Sequence, residues 1–364
     1  MKKCISVYLK AGKNAATSYY RFYQFFDGIE ARFMYHLMIP DSLWNSFFPI
    51  SKQPFQKKVF IFFFIYFRTL MCLLRDTFLK PSYIVISRCL INKVFPYSYR
   101  FLLYLNKKRG VQLIFDFDDN IIISGEVTRK GLDYFTHISD IIIAGSPLLL
   151  ELINEDDSHK GIFLPTTDGD LYGHIDNCVL KKRLDLFRDE IQVTWIGTFS
   201  GLEYLLEVMP AFEELGRLLK NENKYLVLTV VCDYPLDYHP DAFSLKNIKW
   251  TRQVAIESML NAHIGIMPLR ENESTRGKCS FKLIQYLSAG LPVVGTLVGM
   301  NKMVINDNVG VGLNNNSPKD WATAIYKIVM NSETWACYSK NASSFWQDNF
   351  SFNYNLKKWS AILS

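Results

Sequence analysis

Three basic side chains lie close together in one stretch of the sequence and could hold a doubly charged anion. Arg276, Lys278 and Lys282 fall just before and within a run whose apolar residues recur at helical spacing. Residues four apart share one face of a helix, and the first turn of a helix carries outward N–H groups and a positive dipole. Such a pattern is typical of a diphosphate site. A solvated basic face on an ordinary amphipathic helix is the alternative.

A second group of reactive side chains is acidic. Asp116, Asp118 and Asp119 directly follow the apolar run 111–115. Three carboxylates so close together repel one another, so we expect a raised pKa for at least one unless a cation compensates. The group could move a proton or stabilise positive charge on a sugar ring. A structural role in helix capping and turn formation stays open.

The helix that would position the basic group has a clear predicted end. Phe281, Ile284 and Leu287 recur at helical spacing and predict one inward face. Gly290 stands where a left-handed residue would close the helix, and Pro292 prevents its continuation. The apolar pair that follows predicts a short buried strand.

Alternating apolar runs and helical patterns predict the remaining elements. At 364 residues, the chain is long enough for two α/β domains with separate cores. The strand and helix alternation predicts doubly wound parallel sheets, with functional residues at the carboxyl ends of strands. In the second half, Gly197 and Thr198 form a loop directly after a strand, where backbone N–H groups could approach a phosphate closely. Ser18 or Thr17 is expected to cap an early helix. The polar stretch 176–190 is expected to be a linker.

Composition limits the class of protein. Hydrophobic residues make up 49% and charged residues 21%, which is typical of a globular protein. Seven scattered cysteines without a C-x-x-C pair suggest neither a disulfide framework nor a zinc site, and favour a reducing cytoplasm. The start has a basic lead, but its apolar run is too short for a signal peptide. The run 59–74 is interrupted by Arg68 and predicts a buried or membrane-surface helix, not a membrane span.

Positive charge is concentrated in residues 52–109. This segment holds twelve Lys or Arg residues and one acid, Asp76, with aromatic residues interleaved. Such a surface could meet anionic lipid headgroups, at about 1 kcal/mol for each nearby Lys or Arg. Nucleic acid would also suit the charge, but no recognition motif is visible. A basic surface without a partner is the third interpretation.

The stretch from Arg276 to Val294 resembles the donor-binding helix of family 4 glycosyltransferases of the GT-B fold. It most resembles the bacterial branch used in surface-polysaccharide assembly. The resemblance implies an α/β fold with two Rossmann-like, doubly wound parallel-sheet domains facing across a cleft. Residues 1–180 would form the acceptor-side domain and 181–349 the donor-binding domain, with a terminal helix, 350–364, packing back on the first.

The same resemblance implies roles for particular residues. Those that would bind the donor are Gly197, Thr198, Arg276, Lys278, Lys282 and Gln285, with the basic side chains on the diphosphate and Gln285 on the ribose. Asp118 and Asp119 would act catalytically on the sugar or the acceptor hydroxyl, and Ser18, Arg21 and Asp116 would contact acceptor or phosphate. Many relatives carry glutamates eight residues apart, at positions that here hold Gly277 and Gln285.

The implied reaction is retaining and metal-independent transfer from a UDP-, GDP- or dTDP-sugar to a glycan or lipid-linked acceptor. It would serve bacterial polysaccharide biosynthesis, of lipopolysaccharide O-antigen or capsule, in the cytoplasm with peripheral contact to the inner face of the membrane. No cofactor, metal ion or nucleic acid is expected. The acidic group also resembles the nucleophile motif of haloacid-dehalogenase-like phosphatases and the metal-binding Asp-x-Asp of the other glycosyltransferase fold. A nucleotide-sugar epimerase of the same fold and a non-catalytic sugar- or membrane-binding scaffold remain further alternatives.

Overall fold

The structure is a computed structural model that describes residues 2–47, 50–171 and 175–364. The chain divides into two compact units, Met1–Thr166 with Asn355–Ser364, and Thr167–Tyr354. We refer to them as the first and the second unit. The boundary predicted between residues 180 and 181 falls inside a helix of the second unit.

Each unit contains a six-stranded sheet in which all neighbouring strands are parallel. The first sheet has the order β2-β1-β3-β4-β5-β6 and consists of β1 (Cys4–Leu9), β2 (Arg32–Leu37), β3 (Tyr83–Ser87), β4 (Gln112–Phe117), β5 (Ile141–Ala144) and β6 (Gly161–Phe163). The second has the order β12-β11-β10-β7-β8-β9 and consists of β7 (Glu190–Ile196), β8 (Tyr225–Val231), β9 (Ser244–Ile248), β10 (Ile264–Met267), β11 (Val293–Thr296) and β12 (Gly310–Leu313).

Helices connect the strands in both units. Those before the second sheet are α1 (Ala16–Ser18), α2 (Gln24–Phe26), α3 (Asp41–Phe47), α4 (Phe55–Leu79), α5 (Tyr97–Lys108), α6 (Arg129–Ile138), α7 (Pro147–Leu150) and α8 (Asn177–Leu186). Those that follow are α9 (Leu202–Glu207), α10 (Met209–Asn221), α11 (Arg252–Leu260), α12 (Glu273–Arg276), α13 (Phe281–Ser288), α14 (Asn301–Val304), α15 (Pro318–Val329), α16 (Ser332–Asn349) and α17 (Phe352–Ile362). A π-helical turn, Tyr19–Tyr23, joins α1 to α2.

The parallel strands are buried because helices flank the sheets. All five residues of β3 are buried, which explains why such strands read as continuous apolar runs. Strand β2 lies at an edge and has only one buried residue, His36, so its sequence lacks that apolar run and did not predict a strand. The expectation that Ser18 or Thr17 caps the first helix is wrong, since Ala15 occupies the cap position.

The stretch 176–190 is part of the second unit and not a linker. Asp176 caps α8 by accepting a hydrogen bond from the backbone N–H of Val179 at 3.0 Å. Arg183 is fully buried, and its guanidinium donates to the carbonyls of Met259 and Ala289 at 2.9 and 3.0 Å. This polar sequence therefore packs against the second unit, because the arginine donates to carbonyl groups at the C-terminal ends of two neighbouring helices.

The terminal helix α17 packs on the helical segment 16–26 of the first unit. Trp359 is fully buried, with its ring centroid 5.7 Å from that of Phe22 and 5.1 Å from that of Phe26. Asn355 donates to the Pro165 carbonyl at 2.6 Å. The end of the chain therefore completes the core of the first unit.

We expect Trp359→Ala to lower the free energy of unfolding by about 3–5 kcal/mol, because truncating a buried indole leaves a cavity among aromatic rings. Lys357→Ala, an exposed position on the same helix, is the control and should change it by less than about 0.5 kcal/mol. Urea unfolding followed by circular dichroism measures both. Equal effects of the two substitutions would contradict the packing of α17.

Candidate functional site

Three neighbouring strands of the second sheet end at one edge and place their following loops there. Strands β11, β10 and β7 are adjacent and parallel, so residues 297–300, 268–280 and 197–201 follow their carboxyl ends. Helix α13 begins directly after the second of these segments. Parallel sheets carry their binding sites at this edge.

Helix α13 begins further along the chain than the spacing of the basic residues had predicted. It starts at Phe281, and Ser280 before it has a left-handed backbone with φ 51°. Lys278 therefore lies in the turn between α12 and α13, while Lys282 lies in the first turn of α13. The expectation that the two lysines share one helical face is wrong, although both flank the start of α13.

Arg276 does not lie at a helix N-terminus. It is the last residue of α12, and its guanidinium contacts the Glu271 carboxylate at 3.0 Å through Nε and 2.9 Å through Nη2. Both side chains are largely exposed, so this pair contributes little to stability. The predicted placement of Arg276 at the N-terminus of the donor helix is therefore corrected. A phosphate would have to compete with the Glu271 carboxylate for the Arg276 guanidinium.

The predicted end of α13 is confirmed. Gly290 has φ 64°, its N–H donates to the Leu287 carbonyl, and the N–H of Leu291 donates to the Tyr286 carbonyl, both at 2.9 Å. This pair of bonds is a Schellman motif, which favours glycine at the left-handed position. Strand β11 then follows at Val293, as expected.

Tyr286 attaches α13 to the sheet. Its buried hydroxyl accepts a hydrogen bond from the N–H of Ile196, the last residue of β7, at 2.9 Å. Its ring crosses β10 at Gly265, where a Cβ would lie 2.2 Å from the Tyr286 ring. A glycine at 265 is thus required for the tyrosine to reach β7, and the bond fixes the orientation of α13 against the edge of the sheet.

Trp195 brings the glycine loop and Lys282 together. The indole is buried beneath the loop that follows β7, so a Cβ at Gly197 would lie 2.4 Å from the ring and one at Gly201 would lie 2.8 Å from it. The Lys282 ammonium lies 5.4 Å from the centroid of the indole, within cation–π range. Thr198, beside Gly197, has its hydroxyl 3.2 Å from that of Ser200. Sequence reasoning missed Trp195, although a tryptophan two residues before a glycine loop was a visible signal.

The loop after β11 holds the turn that carries Lys278. Gly299 has φ 54°, and a Cβ there would lie 2.5 Å from the Arg276 carbonyl oxygen. Ser280 donates to the Asn301 side chain at 2.6 Å, and Asn301 donates to the Thr296 carbonyl at 2.8 Å. These contacts connect the strained residue at the start of α13 to β11.

Gln285 is buried, and its amide is already bonded within the second unit. Its Nε2 donates to Asp168 Oδ2 at 2.6 Å, and Asp168 Oδ1 accepts from the N–H of Asp170 at 2.7 Å. Burial, and then the charge of Asp170, raises the pKa of Asp168 to about 7 despite these hydrogen bonds. The role of Gln285 in ribose binding stays a prediction.

In the first unit, Arg21 and Asp116 form a buried ion pair. The guanidinium contacts the Asp116 carboxylate through Nη2 and Nε, and its Nη1 donates to the Leu164 carbonyl at 2.6 Å. Both side chains are almost inaccessible to solvent. Ser18 is also buried, and its hydroxyl donates to the Ala11 carbonyl at 2.7 Å. Arg21 thus joins the π-helical turn to β4 and to the segment after β6, and Ser18 joins α1 to the segment after β1. The expectation that these three residues contact acceptor or phosphate is corrected, because their polar groups are buried in these contacts.

A second arginine holds the next aspartate of the acidic group. Arg88, directly after β3, contacts Asp118 Oδ1 at 2.7 Å and Glu126 Oε1 at 3.3 Å. Lys10, after β1, contacts the same Glu126 oxygen at 3.0 Å. Asp119 Oδ1 accepts from the neighbouring N–H of Asn120. Asp118 thus lies in a charged network at the carboxyl edge of the first sheet, and sequence reasoning missed Arg88, Glu126 and Lys10.

Two α/β units in one chain, each with a six-stranded sheet of parallel strands, are characteristic of the GT-B fold. HepE from Anabaena, in complex with UDP-glucose, is similar to the chain with a TM-score of 0.65 and 11% identity, over 99% of each chain. A glycosyltransferase from Rickettsia africae is similar with a TM-score of 0.65 and 13% identity, over 100% of this chain and 98% of that one. The prediction of an α/β GT-B fold is confirmed.

Residues 190–331 match the sequence model of the family described as Glycosyl transferases group 1, so this part of the chain is a glycosyltransferase domain of that group. An uncharacterized glycosyltransferase from Methanocaldococcus jannaschii is 24% identical over 193 residues, which cover 50% of this chain. The match covers 47% of that relative, so the chain spans about half its length. The chain therefore has the GT-B fold, and its residues 190–331 match the glycosyl transferases group 1 family.

We expect Tyr286→Phe to lower the free energy of unfolding by about 1–3 kcal/mol, because the buried N–H of Ile196 loses its acceptor. Tyr326→Phe removes an exposed hydroxyl that contacts Glu222 and should change it by less than about 0.5 kcal/mol. Urea denaturation of both variants measures the difference. If Tyr286→Phe is as stable as the control, the hydroxyl does not hold α13.

The raised pKa of Asp168 predicts a pH dependence. The pKa of Asp168 in the folded protein, about 7, exceeds its ordinary value of 3.8, so the folded state favours the protonated carboxyl. The stabilisation from this residue is therefore complete when the pH is below 3.8. The contribution falls as the pH rises through about 7. Asp168→Asn removes this titration. The melting temperature of wild type relative to Asp168→Asn should therefore fall between about pH 5 and pH 8.

Asp307→Asn, at an exposed position of the second unit, controls for the loss of one carboxylate. A wild-type advantage over Asp168→Asn that stays constant or grows with pH would contradict the buried ionisation.

Proposed function

We propose that the protein transfers a sugar from a nucleotide-sugar donor to a hydroxyl of a glycan or lipid-linked acceptor. The observation that carries the proposal is the arrangement at the edge of the second sheet. There Lys282 in the first turn of α13, the glycine loop at 197–201 and the indole of Trp195 lie together. Such an arrangement would suit an anion, because a cation lies beside a backbone that a ligand could approach closely.

The positive groups would act when the bond to the sugar breaks. Negative charge then grows on the leaving diphosphate, and fixed cations lower the barrier by stabilising that charge. Lys282 is held over Trp195, and Lys278 lies in a turn fixed by Ser280 and Asn301. Because the neighbouring loops hold both segments, the charges would need little reorganisation during the reaction. Arg276 would contribute only after it leaves Glu271.

The acidic group of the first unit would serve the acceptor. Asp118 is oriented by Arg88, and Asp119 lies beside it at the end of β4. We assign these two residues to the acceptor hydroxyl or the sugar, and we exclude Asp116 because it is buried against Arg21. The same burial argues against a phosphatase, which would use Asp116 as its nucleophile.

The finer features of the reaction are part of the proposal. We propose retention of the anomeric configuration, transfer without a resident metal ion, and a lipid-linked acceptor in surface-polysaccharide biosynthesis on the cytoplasmic side of the membrane. They are supported by the resemblance of the donor helix, and for the donor by the UDP-glucose bound to the similar HepE structure. UDP-sugars are therefore the first donors to test, followed by GDP- and dTDP-sugars.

Titration calorimetry with UDP-, GDP- and dTDP-sugars tests the donor site. We expect the double variant Lys278→Ala/Lys282→Ala to bind the preferred nucleotide at least about tenfold more weakly, since each phosphate contact by a cation contributes about 1.5–3 kcal/mol when sheltered from water. Lys319→Ala/Lys327→Ala removes the same charge from exposed positions of α15 and should bind as wild type does. Undiminished nucleotide affinity in the Lys278→Ala/Lys282→Ala variant would contradict the assignment of these lysines to the donor site.

Incubation of the donor alone separates the enzyme classes. A transferase leaves most of the donor unchanged until an acceptor is added, whereas an epimerase interconverts the sugar without acceptor. A non-catalytic scaffold binds nucleotide and consumes none in the presence of a membrane extract that contains the acceptor. Donor consumption that depends on the acceptor is the result we expect.

A further inference from the structure

Helix α4 has one face that is firmly attached to the first sheet. Its inward residues are Ile61, Ile65, Thr69, Leu73, Asp76 and Thr77. The carboxylate of Asp76 accepts hydrogen bonds from Ser6 at 2.9 Å and from Tyr8 at 2.7 Å, both on β1. Seven turns of helix are thus held in one orientation, so the opposite face has a fixed position on the surface.

That opposite face is apolar and exposed. Its residues follow one another at intervals of three and four, and we call them the aromatic stripe: Phe60, Phe63, Phe67, Met71, Leu74 and Phe78. Five of the six are at least half exposed, and Leu74 is 38% exposed. At 1.5 Å per residue, the stripe extends for about 27 Å. Contiguous exposed apolar surface of this extent marks an interaction site.

The neighbouring helix enlarges this surface. Tyr66 of α4 and Tyr99 of α5 stack with ring centroids 5.5 Å apart, and the Tyr99 hydroxyl donates to the Tyr66 carbonyl at 2.8 Å. Exposed residues of α5 also recur at intervals of three and four, at Tyr97, Phe101 and Tyr104. Two packed helices therefore present large aromatic side chains to the surroundings.

Charge distinguishes the partners that could cover this surface. Residues 52–109 carry twelve Lys or Arg and one acid, Asp76, which is buried. Arg88 and Lys107 pair with acids outside this segment. The exposed cations of the segment are Lys52, Arg75, Lys80, Lys93, Lys108 and Arg109. Arg68, which interrupts the apolar run in the sequence, donates through Nε to the Leu37 carbonyl at 3.0 Å, so its guanidinium is directed toward the end of β2. The stripe is therefore continuous, and the surrounding surface charge is positive.

We propose that the aromatic stripe of α4 and the exposed side chains of α5 insert into the interface of an anionic lipid bilayer. A second copy of this chain would place two positive surfaces against each other, whereas anionic headgroups neutralise them. Aromatic side chains favour the headgroup region, and a basic amphipathic helix lies in its plane. Within residues 2–47, 50–171 and 175–364, no helix is long and apolar enough to cross a membrane. Binding is thus peripheral.

This inference goes beyond the proposed reaction and does not depend on it. The surface belongs to the first unit and contains none of the proposed donor or catalytic residues. A protein that binds membranes but has no transferase activity would contradict the proposed function and leave the membrane proposal intact. An active transferase that does not bind membranes would contradict only the membrane proposal.

Flotation with vesicles of equal parts phosphatidylglycerol and phosphatidylcholine tests the surface on the full chain. We expect wild type to float with these vesicles and much less with pure phosphatidylcholine. Phe63→Ser/Phe67→Ser/Met71→Ser should weaken binding at least about tenfold, since each buried large side chain contributes about 1.5–3 kcal/mol. Leu218→Ser/Tyr225→Ser/Met330→Ser removes exposed apolar side chains of the second unit and should bind as wild type does.

Circular dichroism and nucleotide binding check that the stripe variant is folded, because its three side chains are exposed and outside the donor site. Equal flotation of wild type and stripe variant would overturn the proposal. So would equal binding to anionic and neutral vesicles. Self-association of wild type that the stripe variant abolishes, without any vesicle binding, would show that a second copy covers the surface instead.

Discussion

The hydrogen bond from the backbone N–H of Ile196 to the hydroxyl of Tyr286 is the constraint on which the candidate donor site depends. It crosses from β7 to α13 and passes over β10, where only glycine leaves room for the tyrosine ring. An unpaired N–H buried at that point would cost about 1–3 kcal/mol, so the helix has one favoured orientation. Lys282, four residues before the tyrosine in the same helix, takes its position from that orientation.

The same constraint explains the small residues around it. Trp195 precedes Ile196 and fills the space under the loop, so residues 197 and 201 must lack a Cβ. The glycines commonly associated with phosphate approach are therefore also required by the packing of an indole. One buried side chain thus fixes the loop, supports the lysine by its π-face and excludes larger residues from the edge of the sheet.

Local patterns predicted the parts of the fold that local forces determine. Buried parallel strands such as β3 and β8 read as continuous apolar runs, and the Gly-x-Pro end of α13 fixed its termination. The start of α13 could not be predicted, because the left-handed Ser280 is hydrogen-bonded to Asn301, the first residue of α14. The burial and the ion pair of Arg21 could not be predicted either, since its partners Asp116 and Leu164 are 95 and 143 residues away along the chain. The candidate site was thus identified by residue type, whereas its geometry required the tertiary structure.

The departure from glutamate at position 285 follows from the electrostatics of the second unit. Gln285 donates to Asp168, a fully buried carboxylate whose pKa is already raised to about 7 by burial and by Asp170. A glutamate at 285 would place a second carboxylate at hydrogen-bond distance from the first, and like charges this close cannot both ionise in a buried site. One of the two would have to remain protonated, or the segment 168–170 would have to move away. The amide avoids this conflict because it donates where a glutamate would repel. In this chain, the residue at 285 and the acidic turn at 168–170 are therefore one electrostatic unit, and a change at either position must be accommodated at the other.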